Sequence, residues 1–499
     1  MKNVLRNGLS LALALLMLLP MVASCGKEKP QEDLSGTPKG EGSAEPGSAG
    51  EEIENLPEAN YDGRDIRILM RDYDYYYHDM EVEDDLMNSH TANNVDEQVF
   101  YRNRAVEKRF DVTLRIDRQT GYANTLDAGK TRTALAEGSY DLIADHGRSL
   151  FTYVLEGSFK NWYDLRWVDL SKFWWSQGMV SSFSIGDNLW CMTGDLSYQG
   201  IGATVVMIMN NKVSRDLVLN DPYEAVEDGS WTFEAFREMA EMAKSASMEG
   251  EPDPANGDRM GYMTSQWRGP MTALYSTGQL TVRQGDDGQL QIAVNSPTTI
   301  TLFDDYFDLL SQEYCKLYMG DFAQTNYKSF ASGNVLFMDI RLYDISMIIQ
   351  NGLLDYSILP WPKYQEDVDE YFAWVDAVAN VFAVPNGKSD SDYECISVIL
   401  EALSAEGHRR VIPAFYEDTV RKKYAQDPDS YRALELIRAG RVFDIGSFMM
   451  TDLGDLSNIG FAIAGTKNRN YSTWWSNNKD ALQGKIEKVN EKFAELLSK

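Results

Sequence analysis

Two hydrophobic periods alternate along most of this chain, and that alternation limits the fold more than any composition figure does. Over Asp65–Met70 the apolar residues Ile66, Ile68 and Met70 share one face at period two, as in a strand. Asn94–Phe110 instead sets Val95, Val99, Val106 and Phe110 at helical spacing, and Val112, Leu114 and Ile116 return to period two. Strand, helix and strand in that order predict a βαβ unit. A second helical stretch around 124–136 stops at Gly138, and Tyr140–Ala144 is then an apolar strand-like run closed by Asp145, His146 and Gly147. Strands separated by helices predict a parallel sheet. Thr204–Met209 is a continuous apolar run of the buried-strand kind, after which Thr232 can cap a helix with Phe233, Phe236, Met239, Ala240 and Ala243 on one face. A second α/β lobe is expected to start there. Val335–Met338, Ser357–Leu359 and Val381–Val384 are further short strands. Ser391 and Glu394 fit a capping box for the next helix, with Gly407 placed to end it.

At 499 residues the chain is too long for one ordinary domain, so two lobes are expected. Its 47 Lys and Arg against 76 Asp and Glu give a net charge of −29, which opposes unspecific binding to nucleic acid or anionic lipid. No nucleic-acid partner is expected. Residues 1–24 join a basic start (Lys2, Arg6), an apolar run from Leu9 to Val22 and small residues before Cys25, the composition of an export signal. Val22-Ala23-Ser24-Cys25 resembles the lipobox of bacterial lipoproteins, in which the Cys thiol is lipidated and becomes the mature N-terminus. Lipidation at Cys25 is therefore expected, with an uncleaved anchor helix as the alternative. Residues 25–60, rich in Gly, Ser, Pro, Glu and Lys, have too little apolar surface to fold and form a tether with a reach on the order of 30 Å.

Chemistry-bearing motifs are sparse. The chain has no GxSxG, HExxH or GxxxxGK[ST] motif and no strand-linked GxGxxG. Four His at 78, 90, 146 and 408 form no zinc pattern, and Cys191, Cys315 and Cys395 have no CxxC partner. No metal and no cofactor are expected. Glu81, Glu83, Asp84 and Asp85 read as a solvated acidic face, with calcium binding as the other reading.

The order of several segments resembles the extracellular solute-binding proteins of ABC transporters, family 1, which carry sugars and oligosaccharides. Met209-Asn210-Asn211-Lys212 resembles that family's strand end, and Trp231-Thr232-Phe233-Glu234-Ala235-Phe236 its helix start. Phe330–Met338, Ser357-Ile358-Leu359-Pro360-Trp361-Pro362 and Asn380–Pro385 resemble later family segments in the family's order. Asn334 stands where the family usually has Lys, and Trp374-Val375-Asp376 where it often has a Gly pair. The resemblance covers about residue 61 to the C-terminus. It implies an α/β, two-lobed periplasmic-binding-protein fold of type II-like topology, with a ligand cleft between lobes that close by a hinge. Lobe one would hold 61–185 and 311–370, and lobe two 186–310 and 371–499. It also implies a carbohydrate ligand, ABC permease subunits as partners, attachment to the outer face of the cell membrane through the lipid alone, a monomeric state and no catalysis. An adhesion or sensor lipoprotein on the same fold, or a secreted glycan-degrading enzyme, are the alternatives.

Candidate ligand contacts follow from residue type and position. The chain has 11 Trp, 27 Tyr and 20 Phe, and flat side chains suit the C–H faces of pyranose rings, although most aromatics serve the core. Tyr73, with Tyr75, Tyr76 and Tyr77, follows the first strand at a carboxyl end that faces the cleft in such folds. Asp145 follows its strand in the same way and could accept sugar hydroxyls or instead cap the next helix. Trp267, in Gly261–Gly269, could stack on a sugar or belong to the core. Arg341 and Tyr343 lie at a turn the family uses to line its site, with a buried ion pair as the alternative role for Arg341. Trp374 and Asp376 fall in a segment crossing between lobes, as lining or as hinge.

Overall fold

In the computed structural model the described residues are 54–498, apart from 73–78, 89–91, 120, 122–124, 245–251, 321, 354, 417–427, 457 and 467–468. Thirteen strands are used below: β1 (Arg64–Arg71), β2 (Val112–Gln119), β3 (Leu142–His146), β4 (Val205–Asn210), β5 (Met260–Ser265), β6 (Val282–Gln284), β7 (Leu290–Ile292), β8 (Cys315–Tyr318), β9 (Val335–Arg341), β10 (Tyr356–Leu359), β11 (Ala373–Trp374), β12 (Asn380–Ala383) and β13 (Arg441–Val442). The helices that matter are α1 (Asn94–Phe110), α2 (Ala128–Glu137), α3 (Gly147–Leu155), α4 (Phe233–Met242), α5 (Gly269–Tyr275), α6 (Pro297–Leu309), α7 (Asp390–Glu406), α8 (Ile445–Phe448), α9 (Ile459–Ala464) and α10 (Tyr471–Leu497).

The expected βαβ unit is present. β1 pairs in parallel with β2 and β3, with Ile68 opposite both Ile116 and Leu142, and α1 connects β1 to β2. An Asn93–Asp96 capping box starts α1, and Lys108 and Arg109 sit in its last turn, where they oppose the helix dipole favourably. Helix α2 ends at Gly138 in the left-handed region (φ 65°). β12 completes this sheet antiparallel to β3, in the order β12-β3-β1-β2. The second sheet runs β10-β4-β9-β5-β8, with β5 parallel to β8 and β9 and β4 antiparallel to β9 and β10. Every residue of β3, β4, β5 and β9 is buried, as expected of strands covered on both faces.

The assignment of segments to lobes is corrected. Residues 311–370, expected in lobe one, supply β8, β9 and β10 to the second sheet, beside β4 and β5. The stretch after 371, expected in lobe two, returns β12 to the first sheet, and α7 packs there on α1. Residues 186–203 still belong to the first sheet's side, since Met192 bridges Phe382 of β12. Periodicity gives the order of strands but not their partners. Short apolar strands are alike in both sheets, and only long-range pairing sorts them.

Two crossings follow. The chain leaves the first sheet through 199–204 and returns through 373–380, and there Thr204 bridges Val375 while Asp376 N–H donates to the Ala203 carbonyl at 3.1 Å. β11 also pairs in parallel with β13, so three segments run together between the lobes. The C-terminal region touches both sides. α8 packs on α3 and α9 on α5. At the start of α10, Tyr471 stacks on Phe303 of α6 at 5.1 Å, and near its end Phe493 stacks on Trp190 at 5.6 Å. With 27 residues and a rise of about 1.5 Å per residue, α10 is long enough to connect these distant anchors.

Most aromatics are core: Trp162, Trp174, Trp175, Trp231 and Trp361 are fully buried. Glu401 on α7 accepts the Trp174 and Trp175 indole N–H groups at 3.1 and 2.8 Å, and burial pushes its carboxyl up to about 7. Two local expectations shift. The α7 capping box is Ser389 with Asp392, two residues before the expected pair. Gly407 does not end the helix, which continues as a π-helical turn over 407–411; a Cβ there would lie 1.9 Å from the Asp195 carbonyl, so glycine serves close approach. Cys191, Cys315 and Cys395 are free buried thiols. Of the acidic run, Glu81 pairs with Arg118 and Asp84 with Arg104. Among the described residues no helix is long and apolar enough to cross a membrane, and no cluster of three His, Cys, Asp or Glu side chains is placed to hold a metal.

Candidate functional site

The carboxyl ends of β1 and β3 in the first sheet and of β5 and β9 in the second lie by the crossing segments, so the side chains that finish these strands build the candidate site. Arg71 ends β1 and is 1% exposed. Its Nε donates to Asn380 Oδ1 at 2.7 Å, and its terminal nitrogen donates to Gln199 Oε1 at 3.2 Å and to the Val378 carbonyl. It thereby ties the first sheet to both crossings. His146 ends β3 and caps α3, its Nδ1 accepting Arg148 N–H at 3.1 Å. Burial, together with the positive charges of Arg71, Arg148 and Arg341, holds the His146 pKa well below its ordinary value, so the ring is neutral at pH 7.

Asp145 departs from expectation. It is fully buried, and its carboxylate accepts Leu126 N–H (3.0 Å), its neighbour His146 N–H (2.7 Å) and the Ser149 hydroxyl (2.5 Å). Burial raises its pKa, and these donors and Arg71 oppose the rise. Asp145 therefore anchors the start of α3 and the loop before α2, and offers no free oxygen to a ligand. Nor does it take the alternative role of helix cap: the N-cap of α3 is His146, whose ring accepts Arg148 N–H.

Arg341, at the end of β9, does adopt its alternative. Its Nε donates to Asp344 at 3.0 Å and its NH1 to Asp376 at 3.4 Å, while the guanidinium lies 4.9 Å over the Tyr343 ring. Arg268, 1% exposed, shares Asp344 at 3.4 Å and lies 4.8 Å from the Phe322 ring centre. The result is a cluster of two guanidinium and two carboxylate groups, buried except for the half-buried Asp376. Asp376 joins it from the crossing segment, where its Oδ1 also takes Val378 N–H at 3.1 Å. Trp374 stacks on Tyr275 at 5.6 Å, and its buried indole N–H has no hydrogen-bond partner among the described residues. Tyr343 packs against Gly202, where a Cβ would lie 2.8 Å from its ring.

Trp267, just after β5, is half-buried and stacks on Phe461 of α9 with centroids 3.9 Å apart and 25° between planes. Gln266 fixes the pair: its Nε2 donates to the Phe461 carbonyl at 3.0 Å, and its Oε1 accepts Gly320 N–H at 3.2 Å. Arg341, Tyr343 and Asp376 are thus brought together, with Arg268 joining them to the Trp267 turn. Tyr73 lies outside the described residues. Sequence reasoning missed Phe461, Gln266, Arg268 and Asp344. Arg268 and Gln266 adjoin Trp267 and could have been drawn in by position, whereas Phe461 is nearly two hundred residues away and carried no signal.

No family model and no curated protein matches this sequence. Solved structures do match. A cyclo/maltodextrin-binding protein complexed with maltotetraose aligns over 86% of this chain and 98% of its own, at 15% identity and a TM-score of 0.55. UgpB from Mycobacterium tuberculosis, in complex with glycerophosphocholine, aligns over 79% and 95%, at 15% identity and a TM-score of 0.52. The ABC substrate-binding protein Lmo0181 from Listeria monocytogenes, in complex with cycloalternan, aligns over 87% and 100%, at 11% identity and a TM-score of 0.51. The fold is therefore that of the two-lobed, maltose-binding-protein-like solute-binding proteins of ABC transporters.

Proposed function

We propose that this chain is an extracytoplasmic, lipid-anchored solute-binding protein that captures a sugar or oligosaccharide between its lobes and passes it to ABC permease subunits without chemical change. The observation that carries this reading is the Trp267–Phe461 stack, a half-buried aromatic surface at the carboxyl end of β5. It offers a flat face for sugar C–H groups. The neighbouring Arg–Asp cluster is internally paired and tied through Asp376 to the crossing segment, which suits a rigid wall beside a hinge. Two of the three structural neighbours described above are in complex with maltotetraose and cycloalternan, which favours a carbohydrate.

A thermal-shift panel of mono- and oligosaccharides tests the reading, since a ligand at 100 times its Kd adds about 2.7 kcal/mol of stability. A shift with the sugar recovered intact is expected, and no shift with any carbohydrate overturns it. Anchoring rests on Val22–Cys25 and the tether that follows. The Cys25→Ala variant should leave the membrane fraction, and equal retention would refute lipidation.

A further inference from the structure

Glu401, in α7, is a buried carboxyl with no counter-ion among the described residues. It is 1% exposed, and its oxygens take three hydrogen bonds, all from neutral donors. The Trp174 indole N–H reaches Oε1 at 3.1 Å, and the Trp175 indole N–H and the Asp169 backbone N–H reach Oε2 at 2.8 and 3.2 Å. The charged groups around it are engaged elsewhere. On the same loop Lys172 lies 5.8 Å from the Trp174 ring centre, and the Asp169 carboxylate adds a second negative charge. On α1, which packs on α7, the buried charged residues are Asp96, accepting Asn93 N–H, and Arg102, donating to the Leu196 carbonyl. Past the end of α7, His408 Nδ1 meets Asp195 Oδ2 at 2.6 Å, while Glu406 pairs with Arg409 and Arg410. Burial is the main cause that pushes the Glu401 carboxyl up to about 7, against the pull of its three donors.

The donors make the two protonation states unequal. An indole N–H can only donate, and a carboxylate offers lone pairs to all three groups. Protonated from solvent, Glu401 gives up one acceptor position to its own O–H, which then faces donors, so its grip on the indoles weakens. What it grips leads to the crossings. The Trp174 carbonyl accepts Asp195 N–H at 2.8 Å, Trp175 bridges Gly194, and Ser176 N–H donates to the Thr193 carbonyl at 3.2 Å. A Cβ at Gly194 would lie 2.5 Å from the Trp174 carbonyl oxygen and 2.8 Å from the Trp175 ring, so loop and segment lie in direct contact. Four residues beyond Asp195 the chain enters the crossing at 199–204.

We propose that Glu401 is a proton-controlled latch: ionised, it fixes Trp174 and Trp175 and with them residues 193–195 at the root of the first crossing, and protonated, it loosens them. The latch does not work by melting the lobe. Its pKa lies above the ordinary 4.5, so between about 7 and 4.5 the folded chain holds a proton that the unfolded chain lacks, and this group adds stability as the pH falls. Fluorine NMR of the full chain carrying fluorotryptophan, titrated from pH 5 to 8.5, tests the proposal, with Trp174→Phe and Trp175→Phe assigning the signals. The two signals should move together with a midpoint near 7. In Glu401→Gln, whose amide supplies one acceptor and one donor as the protonated acid does, they should stay near the parent's acidic positions at every pH. His408→Gln is the control, because the His408 ring lies edge-on to Phe173 at 4.5 Å and Phe173 lies 5.3 Å from Trp174. There the movement should persist. Signals that stay flat in the parent, move unchanged in Glu401→Gln, or stop moving in His408→Gln each overturn the latch. The parent and His408→Gln decide the matter even where Glu401→Gln is unfolded. No ligand enters the titration, so its outcome is separate from that of the carbohydrate reading.

Discussion

Trp267→Ala should weaken carbohydrate binding by thirtyfold or more, about 2 kcal/mol, while the free protein loses little stability. The two halves of that expectation have separate physical causes. A fully buried Trp would cost about 3–5 kcal/mol of folding free energy on truncation, because its cavity cannot refill. Trp267 is only half-buried, and the ring it stacks on is Phe461, at 3.9 Å. Losing such a stack removes about 0.5–1.5 kcal/mol beyond the area term. The ligand, by contrast, loses the flat surface against which it is desolvated. Phe461→Ala serves as the companion variant, since without its support the Trp267 ring is free to leave its orientation. Binding unchanged together with a large fall in melting temperature would make Trp267 a core residue and remove the central element of the site.

How much of this was legible in the sequence depended on the range of the interaction concerned. Helix α1 was readable to the residue because its caps and its apolar stripe are local. The expected strands β1, β3, β4, β10 and β12 lie within one or two residues of their places, whereas β2 runs three residues past Ile116 and β9 runs on through Asp339, Ile340 and Arg341, where two charged residues break the apolar run; β6, β7, β8, β11 and β13 were not among the expected strands. Sheet membership was not legible. Whether β9 joins β3 or β4 is decided by pairing across more than a hundred residues, and nothing in Val335–Met338 encodes it. Site roles failed for a related reason. Asp145 and Arg341 were correctly placed at strand ends, yet the donors that occupy Asp145 come from Leu126 and Ser149, and the acids that occupy Arg341 from Asp344 and Asp376. A charged residue at a strand end is available to a ligand only if no neighbour has already paired it, and the neighbours are set by the fold.

The same logic gives the largest expected loss of stability in the described structure, at Asp79. This carboxylate is fully buried and accepts the Ser197 hydroxyl at 2.5 Å, Tyr198 N–H at 3.0 Å and Asn380 Nδ2 at 3.2 Å. Arg102 of α1 is buried beside it, donating to the Leu196 carbonyl at 2.6 Å and the Asp79 carbonyl at 3.3 Å. Burial lowers the Arg102 pKa to about 10, and the Asp79 charge is the first influence opposing that fall. Asp79→Asn keeps the shape but removes the counter-charge, which should cost about 3–5 kcal/mol as a buried cation is left uncompensated. The damage should reach the crossings, because the Asn380 amide donates to Asp79 and accepts from Arg71, so its shift loosens the Arg71 tie between β1 and residues 378–380. Adding Arg102→Met should recover part of the loss, since removing both charges leaves no unpaired ion. Urea unfolding of the parent, the two single variants and the double variant measures this directly. A fall in midpoint for Asp79→Asn worth less than about 1 kcal/mol, or strict additivity of the two changes, would show that Asp79 and Arg102 are not energetically coupled.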